Sequence, residues 1–184
     1  MMWSLPISVE IDGAEYAIRN KCDYRVVLDV ISALNDEELE MEYRVECALF
    51  IFYEDLTGLK DIQTAIVEMM KIINLGKEET AEEEAKPKLM DWKHDFQQIA
   101  PPISRVLGYS VRDAKNYTHW YDFIGAYMEI GDCTFANIIS IRNKRMKGKK
   151  LEDWEQEFYR ENKKIIDLPH KLTDEEQEWL DSDW

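Results

Sequence analysis

Apolar residues recur at alternating spacings of three and four along most of this chain, and this period constrains its fold more than any other feature. Such spacing places apolar side chains on one side of an α-helix. Only seven glycines and five prolines occur in 184 residues, which favours helices joined by short connections. The sequence therefore predicts a mainly α protein, a compact multi-helix domain. The predicted helices cover 24–34, 36–53, 59–73, 92–106, 117–130, 134–146 and 151–165.

Three local details accompany this helical pattern. Asn35 is expected to cap the N-terminus of the second helix, because its side chain can accept a hydrogen bond from a free backbone N–H. In the same helix, Cys47 is expected to be a buried thiol, and the all-apolar run 48–53 predicts a central, buried position. Pro101 and Pro102 each lack an N–H donor, so the sequence predicts a break or kink in the fourth helix.

The N-terminal region shows a different period. Val9 and Ile11 alternate with polar neighbours, Asp12-Gly13 follows, and Tyr16 continues the alternation beyond it. Asp-Gly between alternating strands is a strong hairpin signal, because glycine accepts the positive φ that the tight turn requires. The sequence therefore predicts an N-terminal β-hairpin that packs on the helices, since an isolated hairpin is only marginally stable.

Changes in composition suggest how the chain is organised. Residues 1–76 are predicted to form the hairpin and the first helices, and residues 91–167 the C-terminal helical part of the same domain. Residues 77–90 are acidic, poor in apolar residues and read as a linker. Residues 168–184 form an acidic tail that is expected to be disordered in part. A capping-box pattern at 173–176 predicts a short helix within this tail.

The net charge of −15 is large for a chain of this size. It argues against nucleic acids and anionic membranes as general binding partners. No apolar run approaches the roughly 20 residues that a membrane span needs, and the N-terminus lacks the pattern of a signal peptide. The three cysteines share no CxxC spacing, so a disulfide framework is not expected and a reducing cytoplasm is the simplest setting.

The sequence gives no positive evidence for catalysis. His94, His119 and His170 belong to no metal-ligand spacing, and no phosphate-binding or nucleophile motif occurs. His119 is expected to be a structural histidine although it lies close to Asp122. We therefore predict a protein that is not an enzyme, with no catalytic residues, no metal site and no cofactor. A helical divalent-metal-dependent nucleotide hydrolase stays open as an alternative, because carboxylates line two of the predicted helices.

An aromatic segment at 117–150 ends in a run of basic residues from Arg142 to Lys150. The aromatic side chains are expected to form a core seam, with a surplus that reaches a partner, because Trp and Tyr are enriched at protein interfaces. The basic run is expected to complement a helix C-terminus rather than to bind nucleic acid. The predicted partner-binding residues are Trp120, Tyr121, Phe123, Tyr127, Phe135 and Trp154.

Several segments resemble a family of bacteriophage proteins, the "gene product fifteen" family of tailed phages and prophages of Gram-positive bacteria. The most specific sequence motifs lie in 119–167 and are Gly-Ala-Tyr-Met-Glu-Ile-Gly and Lys-Gly-Lys-Lys-Leu-Glu-Asp-Trp-Glu. The other matching segments are 3–6, 8–19, 24–35, 48–55 and 91–109. Together they cover most of the chain.

The resemblance implies a non-catalytic role in tail morphogenesis. Members of that family are encoded between the tail tube gene and the tape measure gene. The implied function is that of a tail assembly chaperone, which keeps the tape measure protein soluble in the host cytoplasm until the tube polymerises. The implied partners are the tape measure protein and the tail tube protein, and homo-oligomerisation is open. Such a factor is expected to be absent from the mature virion.

A rival interpretation is an acidic phage inhibitor that mimics DNA. It requires carboxylates arrayed along one folded face, whereas many acids of this chain cluster in the predicted linker and tail. A soluble, acidic helical protein with surplus aromatic residues and methionines is better suited to binding amphipathic helices.

Overall fold

The computed structural model describes residues 4–77 and 88–169, and this part of the chain contains seven α-helices and one antiparallel hairpin. The predicted mainly α fold with an N-terminal hairpin is therefore confirmed. The strands are β1 (Ser8–Ile11) and β2 (Ala14–Ala17), followed by a 3-10 turn at Arg19–Lys21. The helices are α1 (Tyr24–Leu34), α2 (Met41–Phe52), α3 (Ile62–Ile73), α4 (Trp92–Leu107), α5 (Trp120–Met128), α6 (Thr134–Met146) and α7 (Asp153–Ile166).

Some predictions lie outside the described residues. They are most of the acidic linker 77–90, nearly all of the acidic tail 168–184 with its expected disorder, and the short helix at 173–176. The division into one domain, a linker and a tail stays a prediction. Among the helices of 4–77 and 88–169, none combines the length and the apolar character that crossing a bilayer requires.

The described residues form two compact units. The first contains residues 4–77 and 98–131, and the second contains residues 88–97 and 132–169. Helix α4 contributes its first six residues to the second unit and the remaining ten to the first.

The hairpin at the start of the first unit turns at Asp12 and Gly13. Both residues have positive φ, 53° and 76°, as a two-residue turn of this kind requires. Ile11 pairs with Ala14 across the turn. Val9 and Ile11 of β1 are buried, and β1 packs against α3. The predicted Asp-Gly turn is confirmed, and burial on the helices stabilises a hairpin that would be marginal alone.

The prediction for Asn35 is wrong. Asn35 ends α1: its backbone N–H and its side-chain amide both donate to the carbonyl oxygen of Ile31, at 3.1 and 2.8 Å. The second helix begins only at Met41, with Glu40 at its N-cap. An asparagine can satisfy orphan groups at either end of a helix, and here the end of α1 lies nearer.

The chain does not break at Pro101-Pro102, because α4 continues through both prolines, and the alternative of a kink stays a prediction. Each proline removes one backbone N–H and costs about 3 kcal/mol in a helix interior. Ile99, Ala100 and Ile103 around them are fully buried. Burial of these neighbouring side chains stabilises the helix where local hydrogen bonding is poorest.

The second unit contains a buried ion pair between α4 and α6. The guanidinium of Arg142 binds the carboxylate of Asp95 with two hydrogen bonds, Nη1 to Oδ2 at 2.7 Å and Nη2 to Oδ1 at 2.8 Å. Asp95 is fully buried and Arg142 is 7% exposed. The remaining donors of Arg142 bind backbone carbonyl oxygens of Ile166, Ile165 and Leu89. One side chain thus joins α6, α7 and the segment that precedes α4.

Three of the six cations in the basic run from Arg142 to Lys150 pair with carboxylates of the second unit. Arg142 lies in the interior, Arg145 pairs with Asp167 and covers the ring of Tyr159, and Lys144 pairs with Glu155. The basic run was predicted to complement the negative end of a helix dipole. Lys144 and Arg145 have the position that this requires, because they lie in the last turn of α6.

Glu155 gives the second unit a pH-dependent contact. Its carboxylate is buried and accepts two hydrogen bonds from the Lys144 ammonium and one from the N–H of Glu152. Burial raises the pKa of Glu155, but the Lys144 and backbone hydrogen bonds outweigh burial, and the pKa lies below its usual value. A carboxylate with a depressed pKa stabilises the fold above its unfolded pKa, and this contribution is lost as the pH falls through the folded pKa.

We expect Glu155→Gln to destabilise the protein more at neutral pH than in acid. The free energy of unfolding by urea is measured for both proteins at pH values of about 7 and 3, on either side of the unfolded glutamate pKa of about 4.3. The difference between them should be largest at neutral pH and should shrink as Glu155 becomes protonated. An equal difference at both pH values would show that the charge of Glu155 contributes nothing.

Candidate protein-binding surface

Two of the predicted partner-binding residues lie in the core of the first unit. Trp120 is 3% exposed and Phe123 is fully buried. Phe123 stacks on Tyr24 with ring centroids 4.2 Å apart, and the indole N–H of Trp120 donates to the carbonyl oxygen of Ile73 at 3.0 Å. The expected core seam is therefore present at these positions.

The other four predicted residues differ in exposure. Tyr121 and Tyr127 of the first unit are half-buried, and Phe135 is buried in the second unit. Trp154, at the start of α7, leaves 48% of its surface exposed. Binding of a partner by these residues stays a prediction, and Trp154 is the member of the set with the most accessible side chain.

His119 is a buried structural residue that holds the start of α5. Its Nδ1 accepts a hydrogen bond from the N–H of Tyr121 at 3.0 Å, and its Nε2 lies 2.9 Å from the carbonyl oxygen of Pro6. A neutral imidazole with its hydrogen on Nε2 satisfies both contacts at once. Because both ring nitrogens are engaged, His119 has none left for a reaction in this arrangement.

Two large aromatic side chains on α2 are exposed, with an exposed cysteine between them. Tyr43 is 56% exposed, Phe50 is 60% exposed, and Cys47 between them is exposed as well. Spacings of four and three place these residues on one side of the helix. We call this side the α2 apolar surface. Isolated exposed apolar residues are ordinary, but a row of them marks an interaction site.

The opposite side of α2 is packed. Ala48, Leu49 and Phe52 are buried, and α2 packs against α1 and α3. The predictions that Cys47 is buried and that the whole run 48–53 is buried are therefore wrong. A helix that is apolar all round is covered on every side only if it has neighbours on every side. These two neighbouring helices leave Phe50 exposed.

Arg19 fixes the end of α2 that carries Phe50. Its guanidinium donates to the carbonyl oxygens of Phe50, Ile51 and Tyr53 at 2.9, 3.0 and 2.8 Å. These carbonyls lie at the C-terminus of the helix and have few or no helical partners. A cation at this end also complements the helix dipole. The backbone of the α2 apolar surface is therefore held in place from the end of the hairpin.

Exposed acids lie on α2 and in the segments directly before and after it. Glu46 lies three residues after Tyr43 and four before Phe50, on the same side of the helix. The single basic residue between 36 and 55 is Arg44, whose Nε donates to the carbonyl oxygen of Leu39 at 2.7 Å. We call the acids of this stretch the acidic rim. Its members are Asp36, Glu37, Glu38, Glu40, Glu42, Glu46, Glu54 and Asp55, and all are exposed.

The sequence pattern predicted a buried Cys47 and did not indicate the exposed side of α2. The signal that could have corrected this prediction is Glu46, which lies next to Cys47 in the chain and on the side of Tyr43 and Phe50, because a glutamate is rarely buried without a partner.

The thiols provide a direct test of this assignment. Cys22 is fully buried, and burial raises the pKa of its thiol to about 12, although a backbone hydrogen bond involving Trp120 acts in the opposite direction. We expect DTNB at about pH 8 to label Cys47 rapidly and Cys22 only after denaturation, because the thiolate is the reactive form. Cys133 is a third free thiol and is half-buried, so it is removed first. Cys133→Ser should keep a fast phase, and Cys47→Ser/Cys133→Ser should abolish it. A double variant that still shows the fast phase would contradict the exposure of Cys47.

Metal-ligating side chains do not cluster in the described part of the chain. Among residues 4–77 and 88–169, no group of three or more His, Cys, Asp or Glu side chains is arranged to hold a metal ion. The metal-dependent hydrolase considered above thus has no candidate site there. That the protein is not an enzyme stays a prediction.

Comparison with known proteins identifies a family for this chain. The family model described as "Bacteriophage Gp15 protein" matches residues 1–168. Neither the curated proteins nor the solved structures contain a match to this chain.

Proposed function

Since the chain belongs to the Bacteriophage Gp15 protein family, we propose that it is a non-catalytic tail morphogenesis factor, a chaperone that binds the tape measure protein before the tail tube polymerises. The observation that carries the proposal is the α2 apolar surface, a row of exposed apolar side chains on a helix whose backbone is fixed. Such a surface suits docking of an amphipathic helix through side-chain contacts.

The charge of the protein supports the same role. A net charge of −15 keeps a protein soluble through mutual repulsion. A complex between this chain and an aggregation-prone apolar client would share that charge and stay in solution. The host cytoplasm is the proposed site of action. The tail tube protein is a second proposed partner, because growth of the tube would displace the chaperone.

The rival function as a DNA mimic is supported less well. The acidic rim supplies exposed carboxylates, but Tyr43, Cys47 and Phe50 lie exposed within the same stretch of chain. The target of a DNA mimic is an enzyme that normally binds DNA phosphates. An apolar row between the carboxylates of the mimic adds nothing to that recognition. Titration against a DNA-binding enzyme and against the tape measure protein separates the two functions.

Co-expression with the tape measure protein encoded beside this chain tests the proposal. We expect the tape measure protein to accumulate in the soluble fraction and to co-purify with this chain, and to be insoluble when expressed alone. Purified virions should contain none of the chain by mass spectrometry. If the tape measure protein stays insoluble and no complex is recovered, the chaperone function is refuted.

A further inference from the structure

We infer that the segment docking on the α2 apolar surface is a cationic amphipathic helix, with an apolar ridge flanked by lysine or arginine. This inference rests on the proposed binding function and specifies the chemistry of the partner. It follows from the shape of the surface, from its charge and from the hydrogen bonding of α2.

The apolar part of the surface has the dimensions of a helix contact. Tyr43 and Phe50 are seven residues apart, which is two turns or about 10.5 Å along the axis. Cys47 between them has a small side chain, so it leaves a depression between two large rings. Side chains of a crossing helix form ridges that fit such depressions.

Backbone pairing does not offer a second way to bind. The backbone N–H groups in the interior of α2 bond to carbonyls within the helix, and Arg19 binds carbonyls at its end. An added strand gains its affinity from main-chain hydrogen bonds to a free sheet edge, and α2 presents none along this side. The occupant must bind through its side chains, which favours a helix over an extended peptide.

The negative charge around the α2 apolar surface determines which kind of helix can bind there. The stretch 36–55 contains the eight exposed acids and one base, Arg44. Arg19 adds a second base at the C-terminal end of α2, where its guanidinium binds three backbone carbonyls, so acids still outnumber bases by eight to two. A helix with lysine or arginine beside its apolar ridge places cations against these carboxylates, whereas an acidic helix is repelled. Association is also accelerated, because opposite charges steer the partners together.

The same charges oppose self-association through this surface. A second copy of the chain would bring its own eight acids against the first eight, and like charges brought together at an interface weaken binding. A second copy is therefore a poor occupant of the α2 apolar surface. Sedimentation velocity at low and high salt measures whether the protein self-associates. We expect no dimer through this surface at low salt, where the repulsion between the acids is strongest.

Two fluorescent peptides of about 18 residues, five helical turns, provide the test. They carry the same leucines at helical spacing and differ in their flanking residues, lysine in one and glutamate in the other. Fluorescence anisotropy should show that the lysine peptide binds the full-length protein and that added NaCl weakens this binding. The glutamate peptide should bind at least about tenfold more weakly, because its charges are repelled by the rim.

Variants of the rim locate the charge effect. Glu42→Gln/Glu46→Gln/Glu54→Gln should bind the lysine peptide about tenfold more weakly and with less salt dependence, since three exposed ion pairs are lost. The matched control Glu129→Gln/Glu157→Gln/Glu161→Gln removes three exposed acids elsewhere and should bind like the wild type. Equal binding of both peptides, equal effects of the two triple variants, or binding of neither peptide would overturn the inference.

Co-expression distinguishes this inference from the proposed function. If the triple rim variant keeps the tape measure protein soluble as well as the wild type does, the charge selectivity is wrong and the chaperone function stands. If the wild type binds the lysine peptide selectively but leaves the tape measure protein insoluble, the docking surface stands and its proposed client is wrong.

Discussion

Replacing Arg142 by alanine is expected to lower the free energy of unfolding by about 3 to 5 kcal/mol, the usual cost of removing one partner from a buried ion pair. Asp95 would then hold a carboxylate with no exposure to water and without its bidentate partner. The substitution would also remove the donors to three backbone carbonyls around α7 and the start of α4. Urea unfolding, followed by circular dichroism, measures the change.

Matched variants show whether the buried pair causes the loss. Lys147→Ala removes one exposed cation just after α6 and should change the stability by no more than about 0.5 kcal/mol. Asp95→Leu/Arg142→Met replaces both charges by apolar groups and should be more stable than Arg142→Ala, because no buried charge is left alone. Arg142→Lys keeps the charge but loses the two-pronged geometry, and an intermediate stability is expected. A cost below about 1 kcal/mol for Arg142→Ala would contradict the central role of this pair.

The second large effect concerns the α2 apolar surface. Tyr43→Ala/Phe50→Ala is expected to weaken the proposed complex with the tape measure protein by about a hundredfold, because aromatic residues at the centre of an interface often contribute about 1.5 kcal/mol or more each. Both side chains are more than half exposed, and alanine is favourable in a helix. The fold of the free protein should therefore be preserved. Recovery of the complex by affinity purification and its dissociation constant measure the effect.

Two further variants locate the binding residues. Met128→Ala removes a side chain that is 65% exposed at the end of α5, and it should leave the complex intact. Trp154→Ala tests the one residue of the predicted set with a largely accessible side chain. If Trp154→Ala abolishes the complex while Tyr43→Ala/Phe50→Ala does not, the client binds through α7 and the assignment to α2 is wrong.

Local patterns predicted the elements of this fold well. The hairpin turn at Asp12-Gly13 depends on two residues that tolerate positive φ, so its position is encoded within a few residues. The helices follow from apolar spacing for the same reason. The predicted break at Pro101-Pro102 does not occur, because the cost of two missing donors is local whereas the burial of Ile99 and Ile103 depends on tertiary contacts that the local sequence does not show.

The candidate site was harder to predict. The spacing of apolar residues along α2 shows which side chains are apolar. It does not show how many neighbouring helices will pack against them. Tyr43, Cys47 and Phe50 are exposed because the neighbours of α2 cover its other side. In the aromatic segment, by contrast, the predicted core seam is present at Trp120 and Phe123, and partner binding by its surplus residues stays a prediction.

The sequence by itself determined the helical class, the hairpin, the strongly acidic charge and the resemblance to a phage family, which the matching family model confirms over residues 1–168. These properties depend on residue type and on spacing along the chain. The tertiary structure alone decided that Arg142 of the basic run is buried against Asp95 and that Phe50 of the apolar run is exposed. Burial depends on residues distant in sequence, such as Asp95 for Arg142, and no local period encodes which of them will meet.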